Sequence, residues 1–301
     1  MCSPFWGAVI YNASMEFYKY QSLGNDYILF DALRQPPPLA PEDIRTLCDR
    51  RLGIGADGII LIQPSTRASF RMTNYNPDGS EAGLSGNGLR CLAKHLYDMG
   101  SITGKEMAVE THAGVRTVKL QISLGAVHGV EVNMGKPDFR RSSIPMTGEE
   151  DEAVEIAIDV KDVSLKATCL SVGTPHCVLF LESLDDSQFC ELGPMMEHHP
   201  LFPLRVNVEF ARVLDMSEIS LRSWERGVGE TASSAAGAAA VVAAAARTGR
   251  CKRLAQVLLP GGLMEVELSA EGELLTRAPA RRVFRGKLDD DWRERGRIIV
   301  A

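Results

Sequence analysis

An internal repeat constrains this chain more than any other feature of its sequence. Glu81-x-x-x-Ser85-x-x-Gly88 recurs as Glu230-x-x-x-Ser234-x-x-Gly237, an offset of 149 residues. The same offset carries Ser22-Leu23-Gly24 onto Ser171-Val172-Gly173. Two separate matches at one spacing imply a chain built from two similar halves. A unit this long is a duplicated domain rather than a solenoid repeat. The 301 residues leave room for two domains of ordinary size. The halves are expected at 16–133 and 134–288, with the last strand free to return to the first half. Residues 1–15 and 289–301 read as tails, and Met15 offers a second start just before patterned strand begins. The stretch 134–152, rich in Pro, Ser and acidic residues, reads as a linker.

Within each half, short β-type runs alternate with Gly, Pro and Asp turns. Examples are Phe17–Gln21, Tyr27–Asp31, Ile59–Ile62, Val206–Val213 and Ile219–Trp224. Helices are fewer. Glu42–Leu52 lies between Pro41 and Gly53, a sensible start and stop. Leu89, Leu92, Ala93 and Leu96 follow helical spacing until Gly100. Ala238–Arg247 is a strong helix former stopped by Gly249. The pattern predicts an α+β fold with two mostly antiparallel sheets and a few helices.

Both serine copies fall where a strand turns into a helix. In Ser85-Gly86-Asn87-Gly88 and Ser234-Ala235-Ala236-Gly237 the small residues let a ligand approach the backbone. Free N–H groups and the helix dipole make each turn a candidate anion site. If the halves pack face to face, a carboxylate sits between two helix starts with one serine on each side. That geometry suits removal of a proton from one face of a carbon and its return to the other. Serine is equally a good N-cap, and that plainer role stays open for each copy.

Composition narrows the partners. The net charge is −6, so no broad basic face for nucleic acid or an anionic membrane is expected. No run of about 18 apolar residues occurs, and the N-terminus lacks the basic residues of a signal peptide. The seven cysteines are scattered without a CxxC pair or a Cys/His cluster. They read as free thiols in a reducing cytoplasm, and no metal site is expected.

The segment Asn76-Pro77-Asp78-Gly79-Ser80-Glu81-x-x-x-Ser85-Gly86-Asn87-Gly88-x-Arg90-Cys91 closely resembles the first signature of the diaminopimelate epimerase family. Leu23-Gly24-Asn25-Asp26-Tyr27, Gly53-Ile54-Gly55-Ala56-Asp57, Pro175-His176-Cys177, Arg205-Val206-Asn207, Glu225-Arg226-Gly227 and Leu259-Pro260-Gly261-Gly262 also fit, in order along most of the chain. The resemblance implies two similar halves, each a barrel-like sheet around a central helix, with the site in the cleft between them. It implies epimerisation of a small-molecule amino acid at Cα, without cofactor or metal, in lysine biosynthesis. A monomer or homodimer is expected. By the same resemblance, Asn25, Asn76, Thr174, His176, Asn207, Glu225 and Arg226 stand where the family binds its substrate. Backbone N–H groups of Gly86, Asn87, Ala235 and Ala236 would face the reacting carboxylate.

Ser85 and Ser234 stand where the family carries its two acid/base cysteines; Cys91 matches a cysteine that is not catalytic. The departure is chemically large. A thiol ionises near pH ~8.5, and a hydroxyl roughly 5 units higher costs about 7 kcal/mol more to convert to a base. Uncompensated, that is on the order of 10⁵ in rate. His176 is the motif-borne residue able to offset it. Two origins stay open, a substitution in an ordinary epimerase and a natural variant; Ala235 and Ala236, where the family has Gly and Ser or Thr, favour the second. Thr174 at a family asparagine and Gly58 at a family glutamine leave the exact substrate open, with a polar or acidic distal group expected. A one-base lyase or other isomerase and a non-catalytic binding protein are the alternatives. Elsewhere, Glu197-His198-His199 reads as a solvated helix end, Pro36–Pro38 as a loop, and Asp289–Asp291 with Arg293–Arg297 as an exposed mixed-charge terminus.

Overall fold

The computed structural model describes residues 15–161, 163–289 and 292–293. The first half runs through strands β1 (Glu16–Ser22), β2 (Asn25–Asp31), β3 (Gly58–Gln63), β4 (Phe70–Tyr75), β5 (Glu106–Thr111), β6 (Gly114–Ser123) and β7 (Ala126–Gly135). Helix α1 (Pro41–Cys48) lies between β2 and β3, and α2 (Gly86–Asp98) between β4 and β5. The second half runs through β8 (Ile156–Val160), β9 (Val163–Ser171), β10 (Pro175–Phe180), β11 (Asn207–Asp215), β12 (Glu218–Glu225), β13 (Gly229–Thr231), β14 (Leu254–Leu259), β15 (Gly262–Leu268) and β16 (Leu274–Ala278). Helix α3 (Asp186–Glu197) follows β10, α4 (Ala235–Arg247) follows β13, and β17 (Arg281–Lys287) comes last.

The pairing pattern repeats as the sequence does. In the first half β1–β2 is antiparallel, β2–β3 parallel, β3–β4 antiparallel, β4–β5 parallel, and β5–β6–β7 an antiparallel meander. In the second, β9–β10, β10–β11, β11–β12, β12–β14 and β14–β15–β16 follow the same order of directions. The halves join where β7 pairs with β16. One strand crosses back: β17 follows β16 but pairs with β1, while β8 pairs with β9 of its own half.

Through these joins the strands form one continuous 17-stranded sheet rather than the two expected, and each half of it wraps a central helix. In α2, Leu89, Cys91, Leu92, Ala93 and Leu96 are fully buried. Complete burial of a leucine is worth ~1.5–3 kcal/mol over leaving it exposed. Helix α4 is almost all alanine and valine, and its residues from Ala238 to Ala245 are buried on every side. A helix apolar all round belongs in a core, and its short side chains let strands close tightly about it. Helices α1 and α3 lie on the outside, burying Ile44 and Leu47 from one and Phe189 and Met196 from the other in separate smaller clusters.

Several local expectations change. Helix α1 ends at Cys48 rather than Leu52, because Asp49 Oδ1 accepts the amides of Arg51 and Leu52, both at 2.7 Å, and closes a turn. The 134–152 stretch is no free tether: β7 runs to Gly135, and Ile144 and Met146 are buried in the second half's core. Glu197 is not solvated. It is buried and accepts hydrogen bonds from Trp224 Nε1 at 2.9 Å and Gly227 N at 2.8 Å. Of the two tails, residues 1–14, 290–291 and 294–301 lie outside the described residues; Arg293 pairs with Asp43.

Candidate active site

Helices α2 and α4 begin at Ser85 and Ser234. Both serines have extended backbones, with φ, ψ of −119°, 110° and −123°, 115°. Ser85 Oγ accepts the amide of Gly88 at 3.0 Å, and Ser234 Oγ that of Gly237 at 3.2 Å. Both are therefore N-caps, which leaves the earlier first-turn amides without partners inside the helix. The two helix starts meet. A Cβ built on Gly86 would lie 2.7 Å from the Cβ of Ala235. Glycine at 86 is what permits this approach. The repeat thus brings two positive helix ends and two serine caps to one junction.

On the first-half side, Tyr27 links the cap to its surroundings. Its hydroxyl lies 2.7 Å from Ser85 Oγ and donates to Asn25 Oδ1 at 2.6 Å. Asn25 Nδ2 donates to Asp57 at 2.8 Å, which fixes the direction of its amide. With the Tyr27 proton given to Asn25, the Ser85 hydroxyl is the donor in their shared bond. Burial pushes the Tyr27 phenol well above its ordinary pKa, so it stays neutral. Asn87 Nδ2 donates to Ser233 Oγ at 3.0 Å, tying α2 to the segment before α4.

On the second-half side a buried polar chain runs through His176. Its Nδ1 bonds Glu209 Oε1 at 2.9 Å and its Nε2 bonds Thr174 Oγ1 at 2.9 Å. Glu209 is fully buried, and its other oxygen accepts Ser223 Oγ at 2.5 Å. Both imidazole nitrogens are thus occupied. His176 bonds neither serine, which corrects the expectation that it could activate one. Glu225 is the acidic group beside Ser234. Burial raises its pKa, and the charge of Glu209 raises it further, while the nearby hydroxyls of Thr231 and Ser234 oppose. Asn207 accepts the amide of Arg226 at 2.9 Å and donates to the carbonyl of Pro175 at 3.0 Å. The exposed Arg226 side chain bonds the carbonyl of Leu204 at 3.0 Å.

Most sequence-predicted residues therefore fall into three groups. Asn25, Ser85, Gly86 and Asn87 meet Ser234, Ala235 and Ala236 at the helix starts. Thr174 and His176 form one chain beneath, and Asn207 holds Arg226. Asn76 stands apart, with its side chain bonded to Ser80 in its own turn. Sequence reasoning gave no role to Tyr27, Glu209, Ser223, Ser233 or Arg90. A signal for some was present: the offset of 149 also carries Asn25 onto Thr174, Tyr27 onto His176, and Asn76 onto Glu225. Among the described residues no group of three or more His, Cys, Asp or Glu could hold a metal, and no helix is long and apolar enough to cross a membrane.

The family model for diaminopimelate epimerase matches residues 17–140 and 168–283. A diaminopimelate epimerase of Moorella thermoacetica is 44% identical over 274 residues, 90% of this chain and 98% of that protein. One of Desulfitobacterium hafniense is 40% identical, over 92% of this chain and 99% of that protein. Among solved structures, a hydroxyproline epimerase of Agrobacterium vitis superposes with a TM-score of 0.68 at 14% identity, over 92% of this chain and 93% of that one. A PhzF-family phenazine biosynthesis protein of Bacillus anthracis gives 0.63 at 15% identity, over 92% and 99%. At such identities these structures speak for the fold alone.

Proposed function

This chain belongs to the diaminopimelate epimerase family, and from that membership we propose that it interconverts stereoisomers of diaminopimelate by moving the proton at Cα. The substrate carbon lies between Ser85 and Ser234, and its carboxylate lies at the two helix starts. The observation that carries this reading is the contact of Gly86 with Ala235, which sets two capped helix ends against each other. Loss of the Cα proton sends charge into that carboxylate. Backbone N–H groups of Gly86, Asn87, Ala235 and Ala236, with two helix dipoles, stabilise it there. No cofactor is needed to spread the charge.

The chemistry on the two faces differs. On one, Ser234 accepts the Cα proton as its own passes to the carboxylate of Glu225. The raised pKa of Glu225 makes that carboxylate a better base than an ordinary one. On the other, the Ser85 hydroxyl turns from Tyr27 to give its proton to the opposite face; the alkoxide it leaves accepts the amide of Gly88, and the Tyr27 hydroxyl turns from Asn25 to donate to it. Exchange with water resets both groups. Arg226, Asn207 and Thr174 hold the distal end, where a guanidinium suits a carboxylate. The substrate is a free amino acid of the cytoplasm. The one-face lyase and binding-only readings are not favoured by the relatives.

Incubation with LL-diaminopimelate followed by chiral separation tests the reading. The meso isomer is expected above the protein-free control. Restoring cysteine at both caps (Ser85→Cys with Ser234→Cys) is expected to raise the rate by up to the order of 10⁵, the factor set by hydroxyl against thiol acidity. No meso isomer from either form would refute the proposal.

A further inference from the structure

Among the described residues Arg90 is the largest side chain to be completely buried, and none of them gives its charge a counter-ion. Its Nη1 donates to Asn87 Oδ1 at 2.8 Å and its Nη2 to Thr276 Oγ1 at 2.6 Å, and Nε has no partner. None of the described carboxylates acts on it: the ionisable groups nearest to it in charge terms are Cys91 and Tyr27, both held neutral by burial. Burial lowers its pKa to about 10, which still leaves it cationic at neutral pH. An uncompensated buried charge is among the most costly things a core can contain. An apolar residue would fill the space more cheaply.

The position explains what the charge could serve. Arg90 Nη1 lies 3.5 Å from where a side chain on Gly86 would begin, directly behind the point where the helix starts meet. The offset of 149 puts Ala239 at the matching place in α4, so the duplicated scaffold does not itself require a cation there. Thr276 and Met264, which Arg90 reaches across the junction, belong to the second half. Arg90 also fixes Asn87: by donating to its Oδ1, it turns the amide nitrogen towards Ser233.

We propose that Arg90 is a positioning residue whose buried charge is completed by the anion held at the two helix starts. Its natural occupant is the α-carboxylate of an amino acid, an identification that rests on the function proposed above. The charge acts through the protein rather than by contact. It strengthens anion binding at the first-turn amides and holds Asn87 in register. Its energetic cost in the empty protein is recovered when the anion binds.

The test compares the full-length protein with Arg90→Met and Arg90→Lys by calorimetric titration with meso-diaminopimelate and with inorganic sulfate, and by thermal denaturation. Loss of a nearby charge in a low-dielectric site is expected to weaken binding of either anion about tenfold or more in Arg90→Met. That variant should melt above the parent when no anion is present. Arg90→Lys should keep most of the affinity. A structural role alone predicts the reverse order of stability. The proposal is overturned if Arg90→Met melts below the parent or binds anions as tightly, or if Arg90→Lys loses as much affinity as Arg90→Met. It is overturned too if the parent binds neither anion. A parent that binds sulfate but not diaminopimelate refutes the substrate and leaves Arg90 to be judged on sulfate.

Discussion

Replacing Gly86 by alanine probes the junction on which the site is built. The new Cβ would lie 2.7 Å from Ala235 Cβ and 3.1 Å from Met134 Sδ. Carbon atoms pack at about 3.5–4.0 Å, so roughly 1 Å must be found. Met134 can swing, but Cβ of Ala235 is fixed to its helix. Forcing a methyl group into a filled core costs about 1–3 kcal/mol. Glycine to alanine in a helix returns at most about 1 kcal/mol, and less in the first turn. The net expected loss is therefore about 1–2 kcal/mol, a fall of roughly 2–6 °C in melting temperature. Spreading the helix ends by 1 Å should also cost about a hundredfold in epimerisation. The decisive assay is a double-mutant cycle in urea with Ala235→Gly, which removes the clashing partner. Gly86→Ala made in that background should be close to neutral, giving a coupling energy of about 1–2 kcal/mol. Strict additivity, with alanine at 86 equally harmful whether residue 235 is alanine or glycine, would refute the contact between the helix starts.

Two further outcomes follow from buried titrating groups. His95 lies between Tyr18 and Tyr20, with ring centroids 4.5 and 5.6 Å away and neither nitrogen bonded, and burial lowers its pKa from 6.5 to about 4. Between those values the unfolded chain binds a proton that the folded one refuses. Stability should fall by ~3 kcal/mol as pH drops through that window and be flat above it. Urea denaturation of His95→Phe should show that slope removed; an unchanged slope would place its origin elsewhere. Glu225 must be ionised to accept a proton, so the rate should fall as pH drops through its raised pKa. Glu225→Gln should lose that acid limb and at least about a hundredfold in rate, and a variant with the parent's profile would remove Glu225 from the reaction.

The central elements were legible because their signals are local. Each serine cap, its following glycine and its apolar helix sit within one short stretch, and the repeat shows them twice. Helix α3 was not legible: its apolar stripe is weak, Pro194 interrupts it, and its cap at Asp185 gave no lead without a stripe to follow. Glu197 looked solvated because its partners, Trp224 and Gly227, lie far along the chain. The sequence leaves open the return of β17 to β1, because a pairing so long in range is specified by no local pattern. In the site, the caps and their amides could be named from motif and repeat together. His176 was named but given the wrong neighbour, since its Glu209 sits on the adjacent strand and carries no motif of its own. The missing counter-ion of Arg90 is a fact about everything around it, so only the assembled core reveals it.

The most direct test of two-face proton transfer is proton NMR of LL-diaminopimelate in D₂O with this protein. The account predicts decay of the Cα–H resonance as deuterium-labelled meso isomer accumulates, slowly with serine at 85 and 234 and fast with cysteine at both. Diaminopimelate that binds but keeps its Cα–H signal with both forms would contradict it.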